Sequence, residues 1–429
     1  MTINPVDSLN GEIRVPGDKS IAHRAVILNS IGEGRAIIEN FPIGKDCLNT
    51  IEALKSMGAI IDLDKYNRRI IIEGVGLNGL TKPSFPIHAG NSGTTARLLV
   101  GLLAGQSFPS SITGDSHLRR RPMDRVIIPL SHMGANIHAK YGGSYLPIYI
   151  EPVHLQGIDY TLPIASAQVK SAILLASLYA SSPSVIRENT KSRNHTEIML
   201  NAMGATIDIV DKNIHIEPEP TLYAQDMYIP GDISSAAFMI TAGLLVPNST
   251  VLIRDIGLNN TRSGILDIYR DMGGKIDVKN IKEKTGELRG DIKVVTSKLN
   301  ATTIQGEIIP RLIDEIPIIA LAATQASGTT IIKDAGELTV KESNRILSTV
   351  DTLSKFGANI EARADGMIIT GPTPLYGNTV DCAKDHRIAM MATIGGLIAK
   401  GQTTIKNSQW IDISFPGFFN TLNQLSDVD

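Results

Sequence analysis

A chain of 429 residues exceeds what one ordinary hydrophobic core accommodates, so two domains or an internally repeated fold is expected. Its 42% apolar and 20% charged residues are those of a globular protein, and a net charge of −2 excludes the overall basic field that nucleic acid or anionic lipid would select. Any anion site must therefore be local, made by gathering cations into a cleft.

The first segment, MTINPVDSLNGEIRVPG, has neither a basic start nor an apolar run, so no signal peptide is expected. Next along the chain, a polar turn bearing Gly or Ser leads into a small-residue apolar helix, and this pattern recurs six times. The copies are GDKSIAHRAVILNSIGEG from Gly17, GNSGTTARLLVGLLAG from Gly90, IASAQVKSAILLASLYA from Ile164, GDISSAAFMITAGLLVP from Gly231, RLIDEIPIIALAATQASG from Arg311 and KDHRIAMMATIGGLIAKG from Lys384. They start about 70–80 residues apart, the size of a supersecondary unit with two helices and several strands.

After each helix comes a short, mostly β-branched run ending in Asn or Asp, at Asn40, Asp115, Asn189, Asp255, Asp334 and Asn407, the second copy being degenerate. An amphipathic helix then ends on a glycine suited to a left-handed cap, and an alternating strand follows: SMGAIIDL, HMGANIHA, AMGATIDI, DMGGKIDV and KFGANIEA. Each unit reads strand–helix–strand–helix–strand–strand, with three units per domain. The sixth copy stops after its second helix, FPGFFNTLNQL, so the N-terminal segment up to Val15 is expected to supply strand material to the C-terminal half. One domain is then 18–228, and the other is 1–17 with 229–429. The apolar helices, broken by Gly, Ser or Thr, are too short to span a membrane. The two cysteines, Cys47 and Cys382, are too few for a disulfide framework, and a cytosolic protein is expected.

The helix starts hold the chemistry. A helix N-terminus already bears about half a positive charge and free N–H groups, so cations are misplaced there. Yet Lys19 and Arg24 lie in the opening turns of the first copy, Arg97 in the second, Lys170 in the third and Arg387 in the sixth. That pattern suits a polyanion bound where the helix ends converge. Further cations stand in HLRRRPMDR (Arg119, Arg120, Arg121, Arg125), in SRNHTE (Arg193) and in LTVKESNR (Lys341, Arg345). Lys341 and Arg345, four apart, would share a face on a helix. Asp314 and Glu315 open the fifth apolar helix, and Glu342 lies between Lys341 and Arg345. A carboxylate among cations stays ionised and can accept a proton. The ordinary alternatives are helix capping for Asp314 and an exposed ion pair of Glu342 with Arg345. No phosphate loop, G-x-G-x-x-G, H-E-x-x-H or G-x-S-x-G motif occurs, and the nine histidines show no ligand spacing, so no metal is expected.

GDKS at Gly17, GNSGTTAR at Gly90, RRRP ending at Pro122, SAQVK at Ser166, VKESNR at Val340 and DHR at Asp385 follow one another as in the EPSP synthase family, which the chain resembles over almost its whole length. GDKS, SAQVK, RNHTE and NNTR from Asn259 are similar to the second, often glyphosate-tolerant class. The resemblance implies an α/β fold of two inside-out α/β barrel domains with three βαβαββ repeats each. It implies transfer of the enolpyruvyl group of phosphoenolpyruvate to the 5-hydroxyl of shikimate 3-phosphate, on the route to chorismate and the aromatic amino acids. It further implies a cytoplasmic monomer with small-molecule substrates, no metal or organic cofactor, and no nucleic-acid or membrane partner.

By motif, the resemblance assigns Lys19, Ser20, Arg24, Ser166, Ala167, Gln168, Arg193, Asp314 and Lys341 to shikimate 3-phosphate. It assigns Lys19, Gly93, Arg121, Gln168, Arg345 and Arg387 to phosphoenolpyruvate, and proton transfer to Asp314, Glu342 and Lys19. Two positions depart from the family pattern. KESNR has Asn344 where the family has Asp, and WIDISFP has Ile413 where some members carry a cation. The related UDP-N-acetylglucosamine enolpyruvyl transferases usually place a Cys, sometimes an Asp, in the Arg-rich loop. Neither cysteine falls there, although Asp115 and Asp124 do. A non-catalytic repeat scaffold that binds a polyanion would not need to keep Asp314 and Glu342.

Overall fold

The punctuation read from the sequence has a backbone cause. Gly58, Gly134, Gly204, Gly273 and Gly357 end their helices at φ between +87° and +102°, the left-handed region that glycine enters without steric cost. Asn40, Asp255, Asp334 and Asn407, which close the β-branched runs in four of the copies, have φ of 55° to 63°. Among residues with a Cβ, Asn and Asp tolerate that region best.

The computed structural model describes residues 1–382 and 384–426. Among them are six sheets, five of four strands and one of three. In the second copy, Ile87–His88 and Ser110–Thr113 flank the apolar helix and pair in parallel, and the hairpin of Asn136–Ala139 and Tyr145–Glu151 adds antiparallel strands. Two edge strands are exchanged between copies. Asn10–Arg14, before the first apolar helix, pairs in parallel with Thr250–Gly257 of the fourth copy. Met227–Tyr228, before the fourth apolar helix, pairs in parallel with Glu33–Glu39 of the first. Thr2–Ile3 runs antiparallel to Thr403–Lys406 in the three-stranded sheet of the sixth copy. The N-terminal segment thus supplies strands to both ends of the C-terminal half.

The chain divides into a first unit, Gly17–Ile229 with Lys284–Glu287, and a second unit, Met1–Pro16, Pro230–Glu283 and Leu288 onward. The apolar helices are α1 (Lys19–Ser30), α2 (Gly93–Ala104) and α3 (Ala167–Ser177) in the first unit, and α4 (Ile233–Leu245), α5 (Ile316–Thr324) and α6 (His386–Ile398) in the second. They are buried nearly all round, the mostly apolar ones as a helix without a polar face must be, and α1 with its His23, Arg24, Asn29 and Ser30 buried too. Each unit has its own hydrophobic core, and the sheet strands alternate between facing that core and facing solvent. At Gly101 of α2 an added Cβ would stand 2.2 Å from the Ala172 carbonyl of α3, so the two backbones touch. None of the described helices is long and apolar enough to cross a membrane.

His23 and His386 are sealed into these cores. His23 Nδ1 shares a hydrogen bond with Thr50 Oγ1 at 2.7 Å, and burial, opposed by Asp46, pushes its pKa down to about 3. Burial likewise pushes His386 down to about 4, against the pull of Asp385 and Glu342. Unfolded histidines bind protons from about pH 6.5 downward, so on acidification the unfolded chain takes up protons that the fold refuses. The stability these groups contribute is complete above that pH and declines toward the folded values. Urea unfolding is expected to show a loss of about 2 kcal/mol per histidine by about pH 5. His23→Gln, which keeps a partner for Thr50, should flatten the dependence; an unchanged slope would contradict it.

Candidate active site

None of the six apolar helices has an acid within its first turn. In all but α5 a side chain at the cap position meets a free N–H instead. In the first unit Asp18 accepts from Ile21 N at 2.9 Å, Ser92 from Thr95 N at 3.1 Å and Ser166 from Val169 N at 3.5 Å. A serine that caps in this way still has its own O–H to donate.

Around these helix starts the cations are held by neutral groups as well as by acids. Lys19 Nζ pairs with Asp46 Oδ2 at 3.0 Å. Arg24, only 4% exposed, donates to Thr196 Oγ1 and Ser171 Oγ at 2.7 Å each, to Ser20 O at 2.8 Å and to Ala167 O at 3.5 Å. Burial lowers its pKa to about 10, Glu197 opposes the shift and Arg193 adds to it, so it keeps its charge at neutral pH. Arg97 Nη1 donates to Gln168 Oε1 at 2.7 Å, and Arg121 Nη2 to Asn91 Oδ1 at 3.2 Å. An added Cβ at Gly93 would stand 2.9 Å from Arg97 Nη1 and 3.4 Å from Arg121 Nη1, so both guanidinium groups crowd this glycine.

Lys170 does not join them. It is 0% exposed, and its ammonium lies 2.6 Å from Glu197, 2.9 Å from Glu188 and 3.4 Å from Ser192 O. The sequence grouped it with the anion-binding cations; two buried carboxylates, 18 and 27 residues further along the chain, neutralise it instead. RNHTE has a bracing role here, with Thr196 holding Arg24 and Glu197 holding Lys170. In the Arg-rich loop, Arg119 and Arg120 are exposed and Arg121 is half-buried.

The second unit gathers its charges around Asp314, in the turn between the short helix Ile309–Leu312 and α5. Its carboxylate lies 3.2 Å from Arg345 Nη1, 3.5 Å from Lys341 Nζ, 3.9 Å from Arg262 Nη1 and 4.0 Å from Arg387 Nη2. Asp314 therefore faces four cations and is no simple helix cap; Glu315 holds the cap position of α5. Arg345, 1% exposed, also donates to Asp385 Oδ2 at 2.9 Å and Glu342 Oε2 at 2.5 Å. Burial works against its charge, but Asp385, Glu342 and Asp314 outweigh burial and hold its pKa above the ordinary value. Burial would raise Asp385, yet Arg345 and His386 bring it below the usual carboxylate range.

Lys341 and Arg345 do not share a helix face. The chain is extended at Lys341, and the helix Arg345–Lys355 starts only after Asn344. Both still reach Asp314 because a turn separates them. Asn344 caps that helix, accepting from Leu347 N at 3.2 Å, a task Asn performs as well as Asp. Ile413 ends a 3₁₀ turn and brings no charge.

Three groups escaped the sequence reading. Asp46 resembles any acid in a first helical turn. Asp385 both clamps Arg345 and caps α6 through Arg387 N at 2.9 Å. Arg262, inside NNTR, donates to Ser234 Oγ at 2.8 Å and Asp232 at 3.1 Å, while Ser234 donates to buried Glu315. The two units differ in balance. The first sets Lys19, Arg24, Arg97, Arg121 and Arg193 against Asp18 and Asp46, with Glu197 shared between Arg24 and Lys170. The second sets Arg262, Lys341, Arg345 and Arg387 against Asp232, Asp314, Glu315, Glu342 and Asp385. One can hold anions; the other can hold and move protons.

The family model for EPSP synthase (3-phosphoshikimate 1-carboxyvinyltransferase) matches residues 3–422. The chain is 48% identical over 422 residues to the 3-phosphoshikimate 1-carboxyvinyltransferase of Geobacillus kaustophilus, covering 98% of each protein. It is 50% identical over 417 residues to that of Thermoanaerobacter pseudethanolicus, covering 97% of this chain and 98% of the relative. Among solved structures, an EPSP synthase from Acinetobacter baumannii matches at a TM-score of 0.90 and 37% identity over 99% of this chain and 98% of that one. The enolpyruvyl transferase NikO from Streptomyces tendae, at a TM-score of 0.81 and 17% identity over 99% and 96%, shares the fold.

Proposed function

The chain belongs to the EPSP synthase family, and on that premise we propose that its two charged constellations divide the work of the reaction. The enzyme transfers the enolpyruvyl group of phosphoenolpyruvate to the 5-hydroxyl of shikimate 3-phosphate, releasing phosphate, in aromatic amino acid biosynthesis. The difference in charge balance between the units carries the division. Each substrate has a carboxylate and a phosphate of about −1.5 to −2, so together they bring roughly five to six negative charges. The cation-rich first unit is the anchor for both: Lys19, Ser20, Arg24, Ser166, Ala167, Gln168 and Arg193 serve shikimate 3-phosphate, while Lys19, Gly93, Arg121 and Gln168 serve phosphoenolpyruvate. Arg24, with nearly all its N–H groups committed, acts through its charge and by fixing the Ser20 and Ala167 backbone. From the second unit, Asp314 and Lys341 address shikimate 3-phosphate, and Arg345 and Arg387 address phosphoenolpyruvate.

Proton movement falls to the groups around Asp314. Its carboxylate accepts the proton of the 5-hydroxyl. Lys19, an ammonium held by Asp46, or Glu342 in its acid form protonates the methylene carbon of phosphoenolpyruvate. The hydroxyl oxygen then bonds to the central carbon, giving a tetrahedral phospho-ketal with a methyl group. In the second half the methyl group loses a proton to the group that donated it, the bond to the phosphate oxygen breaks, and phosphate leaves with the proton held by Asp314. The vinyl ether remains.

Because the methyl stage admits solvent protons, product formed in deuterium oxide should carry deuterium on its methylene carbon. Glu342→Gln is expected to lower kcat by roughly 10²-fold and to suppress that incorporation, with KM changed much less. Turnover and incorporation at the parent level would remove Glu342 from the proton path.

A further inference from the structure

We propose that Arg97 is a positioning residue that fixes which end of the Gln168 amide meets the substrate. The inference rests on the reading above that Gln168 contacts the anions. The two ends of an amide have nearly the same shape, so its partners decide which is oxygen and which is nitrogen. Arg97 can only donate, and its Nη1 lies 2.7 Å from the Gln168 side chain, which makes that end the oxygen, Oε1. The opposite end, Nε2, donates to Thr94 Oγ1 at 2.9 Å, in the first turn of α2. Among the described residues the second N–H of Nε2 meets no acceptor.

A glutamine serves a phosphate or carboxylate only through that N–H. Turned over, it would present oxygen to oxygen and repel. An amide left to itself can turn over; one whose oxygen is held by a guanidinium cannot do so without leaving a cation facing its NH₂ group.

Arg97 also reaches the neighbouring contacts. Its Nη2 donates to Pro122 O at 3.3 Å, the residue after Arg121, and its Nη1 lies where a Cβ on Gly93 would need room. One side chain thus touches the segments of Gly93, Arg121 and Gln168.

The test is a double-mutant cycle on the full-length enzyme, reading kcat and both KM values by phosphate release, with melting temperature as the fold control. Arg97→Met and Gln168→Met are each expected to raise KM about 10- to 100-fold while kcat falls less. Because one residue acts through the other, the double variant should lie within about threefold of the worse single variant. Arg97→Lys, which keeps one donor for Oε1, should recover much of the loss.

Multiplicative effects, as expected if Arg97 binds an anion on its own account, overturn the proposal, and so does a lysine as poor as the methionine. If Gln168→Met alone leaves both KM values unchanged, the reading of Gln168 as a contact falls and the proposal falls with it. Should Arg97→Met not fold, Arg97→Ala replaces it in the cycle, removing the guanidinium while keeping a good helix former; the same non-additivity is expected and multiplicative effects overturn it.

Discussion

Asp314→Asn is expected to lower kcat by about 10²- to 10⁴-fold while neither KM rises. The substitution keeps the shape of the side chain and removes its ability to take the hydroxyl proton. It also removes the one negative charge that faces Arg345, Lys341, Arg262 and Arg387 together. With that charge gone the four cations are less neutralised, so anionic substrates should bind as well or more tightly. A fall in kcat beside an unchanged or lower KM is the signature of a lost base. Stability should change little, because Arg345 keeps Asp385 at 2.9 Å and Glu342 at 2.5 Å. A raised KM with kcat preserved would leave Asp314 only its contact with shikimate 3-phosphate and remove its role as the base.

Lys170→Met should act on the opposite quantity. The ammonium is closed off from solvent between Glu197 at 2.6 Å and Glu188 at 2.9 Å, and its removal leaves two carboxylates buried together without a cation. Breaking a buried ion set by removing one partner costs about 3–5 kcal/mol. Urea unfolding should register that loss, with KM for both substrates unchanged in the fraction that folds. Replacing Glu188 and Glu197 along with Lys170 by apolar residues of similar volume should recover much of the stability, since the uncompensated charges go too. Normal stability with a raised KM would return Lys170 to the binding set.

These two residues also show where sequence reading succeeds and where it fails. The repeat was legible because its marks are local: a glycine at positive φ after five of the second helices, an Asn or Asp at positive φ after four of the β-branched runs. Such marks need only the residue's own backbone. The apolar helices were legible for a similar reason, as a helix without a polar face has to be interior.

Pairing was not legible, because the partners are far apart in the chain. Lys19 and Asp46 are 27 residues apart, Arg345 and Asp385 are 40 apart, and Arg24 and Thr196 are 172 apart. Arg97 and Lys170 occupy similar places in their repeats, yet one holds a half-exposed glutamine and the other is sealed between two glutamates. Lys341 and Arg345 failed for another reason. Their spacing assumed a helix through both, whereas Asn344 starts the helix between them, which its preference for the cap position could have signalled.

Phosphate release by the purified protein, with each substrate alone and with both, tests the central claim most directly. Release is expected only when shikimate 3-phosphate and phosphoenolpyruvate are supplied together, and not when UDP-N-acetylglucosamine replaces shikimate 3-phosphate. Release that does not depend on shikimate 3-phosphate, or that UDP-N-acetylglucosamine supports equally, would contradict it.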